Sequence, residues 1–459
     1  MTPTSTNTSN PPPPTPNQIH NSSTTPPNLY NRGFSALLCT QFLGALNDNT
    51  LKTILSFMVL TGVWAGKLGQ GGQGWVALCL TLPFILFSGY AGQISDRISK
   101  SRVAIWMKIA EIPIAITAGL GLYYDNLPIT IIALIALATQ SAFFGPAKYG
   151  MIPELVVDRH LSRANGAINM LTNIAVIAGT LLAAPVSAKY FPLTHTQNQT
   201  PTRLSWLPLL TMLAIAIAGL IASLFLPKLK AQDPNIKISR NPFQTYIESL
   251  RDMANTPVLA IAFGWAYFYL MGMLALLVIF DYQQFLQISY SKASTLFAIL
   301  AIAVGVGSAL AGYLSGDNIK PKLIPFGALG LLVFFLLLGL ITPNSVNQNL
   351  NIYYWLIAAL LAGAGIAAGF YIIPLQALIQ ELAPANSLGR FLGTTNALSF
   401  VFTSFAGLLL IICRNLLHLP PNRIFLVCAA LTIPCIIFAF RRQKIMNDAL
   451  QPPSQPHST

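Results

Sequence analysis

Residues 152–169 read IPELVVDRHLSRANGAIN, and residues 379–396 read IQELAPANSLGRFLGTTN. The two stretches align without a gap. The matched residues are Glu154 with Glu381, Leu161 with Leu388, Arg163 with Arg390, Gly166 with Gly393, and Asn169 with Asn396. A weaker match pairs Gly92, Ser95, Lys100 and Arg102 with Gly312, Ser315, Lys320 and Lys322. The repeat predicts a chain built from two similar halves that run in the same direction.

Twelve apolar segments surround these repeats, and each is long enough to cross a bilayer, which takes about 20 helical residues. They are 34–63, 73–95, 102–124, 127–149, 161–188, 204–226, 256–282, 292–315, 321–342, 351–378, 386–413 and 421–440. Only 8% of the 459 residues are charged, whereas soluble domains average about 25%. We therefore predict an all-α membrane protein with twelve transmembrane helices in two six-helix halves.

The longest polar interruption, at residues 227–256, divides the segments into six and six. We predict an N-terminal half at 34–227, a cytoplasmic linker at 228–255, a C-terminal half at 256–441 and a cytoplasmic tail at 442–459. Residues 1–33 form a second tail. Its first 31 residues are rich in Thr, Ser, Asn and Pro and contain no charged side chain, so we expect it to be disordered.

The basic residues predict the orientation. With both termini in the cytoplasm, 18 of the 26 Lys and Arg residues fall on the cytoplasmic side and six on the other. Positive residues are retained on the cytoplasmic side of membrane proteins. The sequence therefore predicts cytoplasmic termini.

Composition and motifs exclude several other classes of protein. The five cysteines lie in apolar stretches without a CxxC pair, so neither a disulfide framework nor a metal site is predicted. No G-x-x-x-x-G-K-[ST], G-x-S-x-G or acyltransferase-type His-x-x-x-x-Asp motif is present. The net charge of +13 is spread between apolar segments rather than forming a patch. We predict no enzymatic activity, no cofactor and no nucleic-acid partner.

The first apolar segment contains the polar residues Gln41, Asp48, Asn49 and Lys52. Asp48 lies roughly 21 Å along a helix that starts at Phe34, near the middle of a hydrocarbon core about 30 Å thick. An ionisable residue at that depth marks a substrate or ion pathway by default. We predict these four residues as a substrate-binding set. The alternative is a buried structural ion pair between Asp48 and Lys52.

Lys108 and Glu111 form an i, i+3 pair in the third segment. Lys108 lies close to the predicted cytoplasmic edge, so its side chain is expected to reach the headgroups. Glu111 lies deeper, at roughly 13 Å by helical rise. We include both in the substrate-binding set and leave open a purely structural pair.

Two further groups of side chains lie in the apolar segments. Trp265, Tyr267, Phe268 and Tyr269 are expected to pack or to line a cavity for an acyl chain. The amides are expected to line the path or to hold helices together; they are Gln140, Asn169, Asn173, Gln376, Gln380 and Asn396.

The loop after the second segment reads GQISDRISKSR, from Gly92 to Arg102. A glycine allows two helices to approach closely, and an aspartate can cap a helix end. We predict a gate latch formed by Gly92, Asp96, Arg97, Lys100 and Arg102. The alternative is a positive loop that serves only topology. Other predicted gating residues at the same membrane side are Lys148, Glu154, Arg163, Glu381 and Arg390.

This loop resembles the G-x-L-x-D-R-x-x-K/R-x-R loop of the major facilitator superfamily. Four stretches also resemble the bacterial lysophospholipid transporter family and the transporter portion of its fusions with acyltransferases: QFLGALNDN at 41–49, GQISD at 92–96, GPAKYG at 145–150 with Glu154, and IPLQALIQE at 373–381. The resemblance implies a major facilitator fold. It also implies inward movement of lysophospholipids, such as lysophosphatidylethanolamine, across the bacterial inner membrane for reacylation.

The resemblance further implies that Asp48 is the family's intramembrane acid. Lys52 fits the fusion-type branch better than the stand-alone transporters. The acyltransferase and acyl-activating domains of the fusions are not found in this sequence, so any acyltransferase partner is expected to be a separate chain. The charges of a zwitterionic headgroup would match Asp48 and Lys52. The alternatives are a proton-coupled major facilitator exporter of amphipathic drugs, and a non-transporting membrane scaffold for an acyltransferase.

Overall fold

A computed structural model describes residues 29–60, 63–64, 67, 72–190, 204–236, 238, 241–286, 288, 290–342 and 350–450. The predicted disordered tail lies, up to residue 28, outside the described residues. The N-terminal helices are α1 (Arg32–Leu60), α2 (Gly72–Arg97), α3 (Lys100–Tyr123), α4 (Leu127–Leu155), α5 (Leu161–Tyr190) and α6 (Leu207–Ser223). They correspond one to one with the first six predicted segments.

The later helices are α7 (Pro242–Ala254), α8 (Val258–Phe285), α9 (Tyr290–Ser315), α10 (Leu323–Leu340), α11 (Leu350–Leu382), α12 (Leu388–Ile411) and α13 (Pro421–Ala449). The helices α8 to α13 correspond to the last six predicted segments. Helix α13 extends to Ala449, so part of the predicted tail at 442–459 is helical. Helix α7 lies in the linker, where no element was predicted.

Ten described helices are long and apolar enough to cross a membrane. Helices α1 and α6 are not among these ten. Helix α1 contains Asp48, Lys52 and several amides, and α6 has only 17 residues. Both nevertheless pack within the bundle, α1 against α5 and α6, and α6 against α3. The described part is helical throughout, apart from turns and loops. The chain is therefore a multi-pass, all-α membrane protein.

Two helix crossings join the N-terminal helices to the C-terminal ones: α2 crosses α12, and α5 crosses α9. A Cβ atom on Gly92 would clash with the Gly389 carbonyl, and one on Gly393 with the Ser88 carbonyl. At the second crossing, a Cβ atom on Gly166 would lie 2.5 Å from the Ser308 carbonyl oxygen. Small residues allow this close approach of backbones.

The sequence repeat has a structural explanation at these crossings. Gly92 and Gly393 allow close backbone contact at the first crossing. Their repeat partners, Gly312 and Gly166, do the same at the second crossing. The two crossings are thus related by the pseudo-symmetry of the repeat. We call the end of the bundle where α2 ends and α12 begins the latch end, because the close backbone contacts of both crossings lie there.

Candidate functional site

Asp48 lies where α1 faces α4. Its carboxylate accepts a hydrogen bond of 2.7 Å from the Ser141 hydroxyl. Ser141 lies within 3.2 Å of the neighbouring Gln140 side-chain oxygen, and the Gln140 amide donates to the Met107 carbonyl on α3. Asp48 is therefore bonded to α4 and linked, through Ser141 and Gln140, to α3.

Lys108 and Glu111 form a buried ion pair with a nitrogen–oxygen distance of 2.6 Å, and each side chain is only 1% exposed. The Asn47 amide donates to the other Glu111 oxygen at 2.7 Å. The expectation that Lys108 reaches the headgroups is wrong. Gly44 leaves room for the ammonium, since a Cβ atom there would lie 2.5 Å from the Lys108 Nζ atom. The ammonium is therefore accommodated in the interior, next to its counter-ion.

Lys148 lies within electrostatic range of Asp48 and Lys108. Its ammonium also lies 4.3 Å from the centroid of the Tyr149 ring. Lys148 was predicted at the gate, near the end of the apolar segment 127–149, whereas α4 continues to Leu155. We define the polar cluster as Asn47, Asp48, Lys108, Glu111, Ser141 and Lys148. It contains two acids and two bases.

The alternative of an ion pair between Asp48 and Lys52 is wrong for the described residues, among which Lys52 has no ion-pair partner. Asp48 turns toward Ser141 on α4, while the Lys52 side chain is exposed. Gln41 donates to the Thr172 hydroxyl on α5 at 3.0 Å, and Asn49 donates to the Ala45 carbonyl of its own helix. The four predicted residues therefore do not converge on one point.

At the predicted latch, a buried carboxylate lies at the start of another helix. Asp96, which is 0% exposed, accepts hydrogen bonds from the backbone N–H groups of Gly389 at 2.7 Å and Arg390 at 2.9 Å. Free N–H groups and the helix dipole make this end of α12 attractive to an anion. The Arg390 guanidinium lies 3.7 Å from Asp96 and 3.8 Å from Asp252 on α7. Asp96 therefore holds the two halves together at the latch end.

Other predicted gating residues surround this contact. Lys100 pairs with Glu154 at 2.5 Å, which joins α3 to α4. Arg163 pairs with Asp317 at 3.7 Å across the second crossing. Arg97, Arg102 and Glu381 are exposed. None of these three has an ion-pair partner within the described ranges, and Glu381 lies in electrostatic range of the like-charged Asp158.

Amide pairs also join the halves near the latch end. Asn165 donates to Gln380 at 2.5 Å, Asn169 donates to Gln376 at 2.6 Å, and Asn396 donates to the Ser88 hydroxyl at 3.0 Å. The expectation that amides hold helices together is met by these three contacts.

Several contacts of these candidate sites could not be predicted from the sequence. Asn165 was missed, although it lies next to the repeat residue Gly166. Nothing in the sequence singled out Ser141 or Asp252, because a serine in an apolar segment and an acid in a linker are both common.

The aromatic residues of α8 divide between packing and a surface groove. Trp265 packs edge-on against Tyr149, and Phe268 stacks on Tyr371. Tyr267 lines a groove of about 290 Å³ between α8, α12 and α13, together with Phe402. In the described part of the chain, no group of three or more His, Cys, Asp or Glu side chains is placed to hold a metal ion.

Comparisons with known proteins agree with this architecture. The lysophospholipid transporter LplT of Photorhabdus laumondii is 26% identical over 367 residues, covering 77% of this chain and 81% of that protein. LplT of Escherichia fergusonii is 27% identical over 361 residues, with the same coverage. These relatives confirm the resemblance stated above.

The crystal structure of the human organic anion transporter MFSD10 superposes with a TM-score of 0.68, at 14% identity, over 90% of this chain and 100% of that one. At this identity the likeness concerns the fold alone. The sequence pattern of the Major Facilitator Superfamily matches residues 37–408. With twelve helices in the predicted order and two halves joined at repeat-related crossings, the chain belongs to the major facilitator superfamily.

Proposed function

We propose that the chain is a secondary transporter that moves lysophospholipids inward across a bacterial inner membrane, where a separate acyltransferase would reacylate them. The names of the relatives support the substrate class. The observation that carries the proposal is the polar cluster, which contains two opposite charges, Asp48 and Lys148, within electrostatic range of each other. Neither belongs to an ion pair among the residues that the structure describes.

The chemistry of the cluster suits a zwitterionic headgroup. Lys108 and Glu111 neutralise each other at 2.6 Å and need no further partner. Asp48 has only the Ser141 hydroxyl within hydrogen-bond distance among the described residues. In our proposal the substrate ammonium binds Asp48 and its phosphate binds Lys148, because charge-assisted hydrogen bonds are the strongest that such groups can make. Lys148 thus replaces Lys52 as the cationic partner.

The direction of transport requires an orientation, and we propose that the termini and the latch end face the cytoplasm. The support is the excess of Lys and Arg on that side. A cysteine introduced between residues 342 and 351 should react with a membrane-impermeant reagent from the opposite side. Labelling from the cytoplasmic side alone would overturn this orientation.

The decisive experiment is uptake of labelled lysophosphatidylethanolamine by liposomes that contain the purified chain. Asp48→Asn keeps the size of the side chain but removes its charge. We expect uptake to fall at least ten-fold, since a hydrogen bond to a charged group contributes about 1.5–3 kcal/mol. Asp448→Asn, at an exposed position of α13, is the matched control and should transport normally. Full activity of Asp48→Asn would overturn the proposed site.

Two outcomes would favour other functions. Transport of cationic amphipathic drugs driven by a pH gradient, with no uptake of lysophospholipid, would indicate a proton-coupled exporter. Absence of any transport by a stably folded wild-type chain, together with binding of an acyltransferase, would indicate a scaffold.

A further inference from the structure

Helix α7 presents three different faces. Thr245, Ser249 and Met253 are buried against the bundle. The polar residues Gln244 and Glu248 hydrogen-bond to each other at 2.8 Å on the exposed side. Between these two faces lie Phe243, 57% exposed, and Ile247, 68% exposed. Because positions i and i+4 are neighbours on a helix, these two side chains form one apolar strip.

The depth of α7 indicates what covers this strip. The helix packs against α2, and its Tyr246 side chain reaches Ile85 and Gly89. Gly89 lies eight residues before the end of α2 at Arg97, or about 12 Å by helical rise. Helix α8, which crosses the membrane, starts at Val258, four residues after α7 ends. An amphipathic helix at this depth lies in the bilayer interface with its apolar side chains in the lipid.

The same helix places a tyrosine hydroxyl inside α2. The Tyr246 hydroxyl accepts a hydrogen bond from the Gly89 N–H at 2.9 Å and donates one to the Ile85 carbonyl at 2.7 Å. An uninterrupted α-helix pairs these two groups, i and i−4, directly. Burial raises the pKa of Tyr246 to about 12, so the hydroxyl keeps the proton that it donates. A side chain inserted in this way is a recognised cause of helix bending.

The insertion lies next to the first inter-half crossing. Ser88, adjacent to Gly89, contacts Gly393 through its carbonyl and Asn396 through its hydroxyl. Gly89 also makes room for the tyrosine, because a Cβ atom there would lie 2.5 Å from the ring. At the other end of α7, Asp252 lies 3.8 Å from the Arg390 guanidinium of the latch. Helix α7 therefore contacts both helices of this crossing.

We propose that α7 is an interfacial helix that binds the bilayer surface at the latch end through Phe243 and Ile247, and that the inserted Tyr246 hydroxyl couples its position to the crossing of α2 and α12. Tyr246 is a positioning residue in this scheme. It touches no residue of the polar cluster among the described contacts, so the proposal does not depend on the substrate.

The lipid contact is tested with nitroxide labels on the full chain, in nanodiscs of phosphatidylethanolamine and phosphatidylglycerol and in a background without the native cysteines. A label at Ile247→Cys should be more accessible to oxygen than to a water-soluble nickel complex. The matched label at Glu248→Cys should show the opposite preference. Equal accessibility of both labels to nickel would place the strip in water. A label at 247 protected from both reagents would place it against a second protein. Either result would overturn the proposal.

The coupling is tested by electron–electron distances between labels at Arg159→Cys and Asn386→Cys, both exposed positions at the latch end and neither among the predicted gating residues. Tyr246→Phe removes both hydrogen bonds of the hydroxyl, but the freed Gly89 N–H and Ile85 carbonyl can then pair with each other. The net loss is about one ordinary hydrogen bond, so the ratio of closed to open states should fall about five-fold, with little change in melting temperature. Tyr313→Phe, a tyrosine 72% exposed on α9, should leave the distances unchanged. An unchanged distribution in Tyr246→Phe would overturn the coupling.

A second pair of variants distinguishes insertion from a local effect on α2. Gly89→Ala should shift the distances in the same direction as Tyr246→Phe, because its methyl group would displace the ring. In a Tyr246→Ala background, Gly89→Ala should have no further effect, since nothing remains to be displaced. An equal shift in both backgrounds would show that α2 responds to the alanine itself, and the proposed coupling would be wrong.

Discussion

Replacing Asp96 by asparagine removes the negative charge from the latch while the side chain keeps its size. In the structure both carboxylate oxygens accept backbone hydrogen bonds from the first turn of α12, at 2.7 and 2.9 Å. Asparagine retains one acceptor oxygen, so one charge-assisted bond is lost and the other is weakened. A bond of this kind contributes about 1.5–3 kcal/mol, and the helix dipole adds about 0.3–1 kcal/mol. We expect the closed latch to lose about 2 kcal/mol, which corresponds to roughly a 30-fold fall in the ratio of closed to open states.

The assay is the distance distribution between labels at Arg159 and Asn386, measured with lysophospholipid uptake on the same preparation. We expect the longer-distance population to increase, uptake to decrease, and the melting temperature to remain close to wild type, because the change shifts populations without breaking the fold. Asp317→Asn is an informative comparison. Its ion pair with Arg163 spans 3.7 Å and Asp317 is 67% exposed, so its loss should cost at most about 1 kcal/mol. A closed population in Asp96→Asn equal to wild type would refute this account of the latch.

Three further variants test the buried ion pair, the first helix crossing and the environment of Lys52. Glu111→Gln leaves the Lys108 ammonium buried without a counter-ion and should destabilise the protein by about 3–5 kcal/mol; thermal unfolding should show recovery in the double variant with Lys108→Met, and an unchanged single variant would contradict the buried pair. Gly92→Ala should prevent closure at the first crossing, read as a longer latch-end distance, whereas Gly407→Ala, with open space around it, should not. Lys52→Gln should change the free energy of unfolding by less than about 0.5 kcal/mol, because Lys52 has no ion-pair partner among the described residues. A larger loss would reveal a partner for Lys52.

Local properties of the chain determined the number and order of the apolar helices. Apolar length and polar interruptions are properties of short stretches, and the bilayer forces each apolar stretch to satisfy its own backbone groups as a helix. The repeat also marked Gly92, Gly166, Gly312 and Gly393 as equivalent. The structure shows why: close backbone contact at two related crossings requires the absence of a side chain at each of them.

The pairing of polar side chains was decided by tertiary structure. From the sequence, Asp48 and Lys52 are four residues apart on one helix, yet Asp48 bonds to Ser141, which lies 93 residues away in the chain. Lys108 is buried rather than at the surface because Gly44 of another helix leaves room for it. In lipid a polar group must take whichever partner the neighbouring helices present. The partner of each polar group depends on how the helices rotate and cross, and this cannot be predicted from a local pattern of residues.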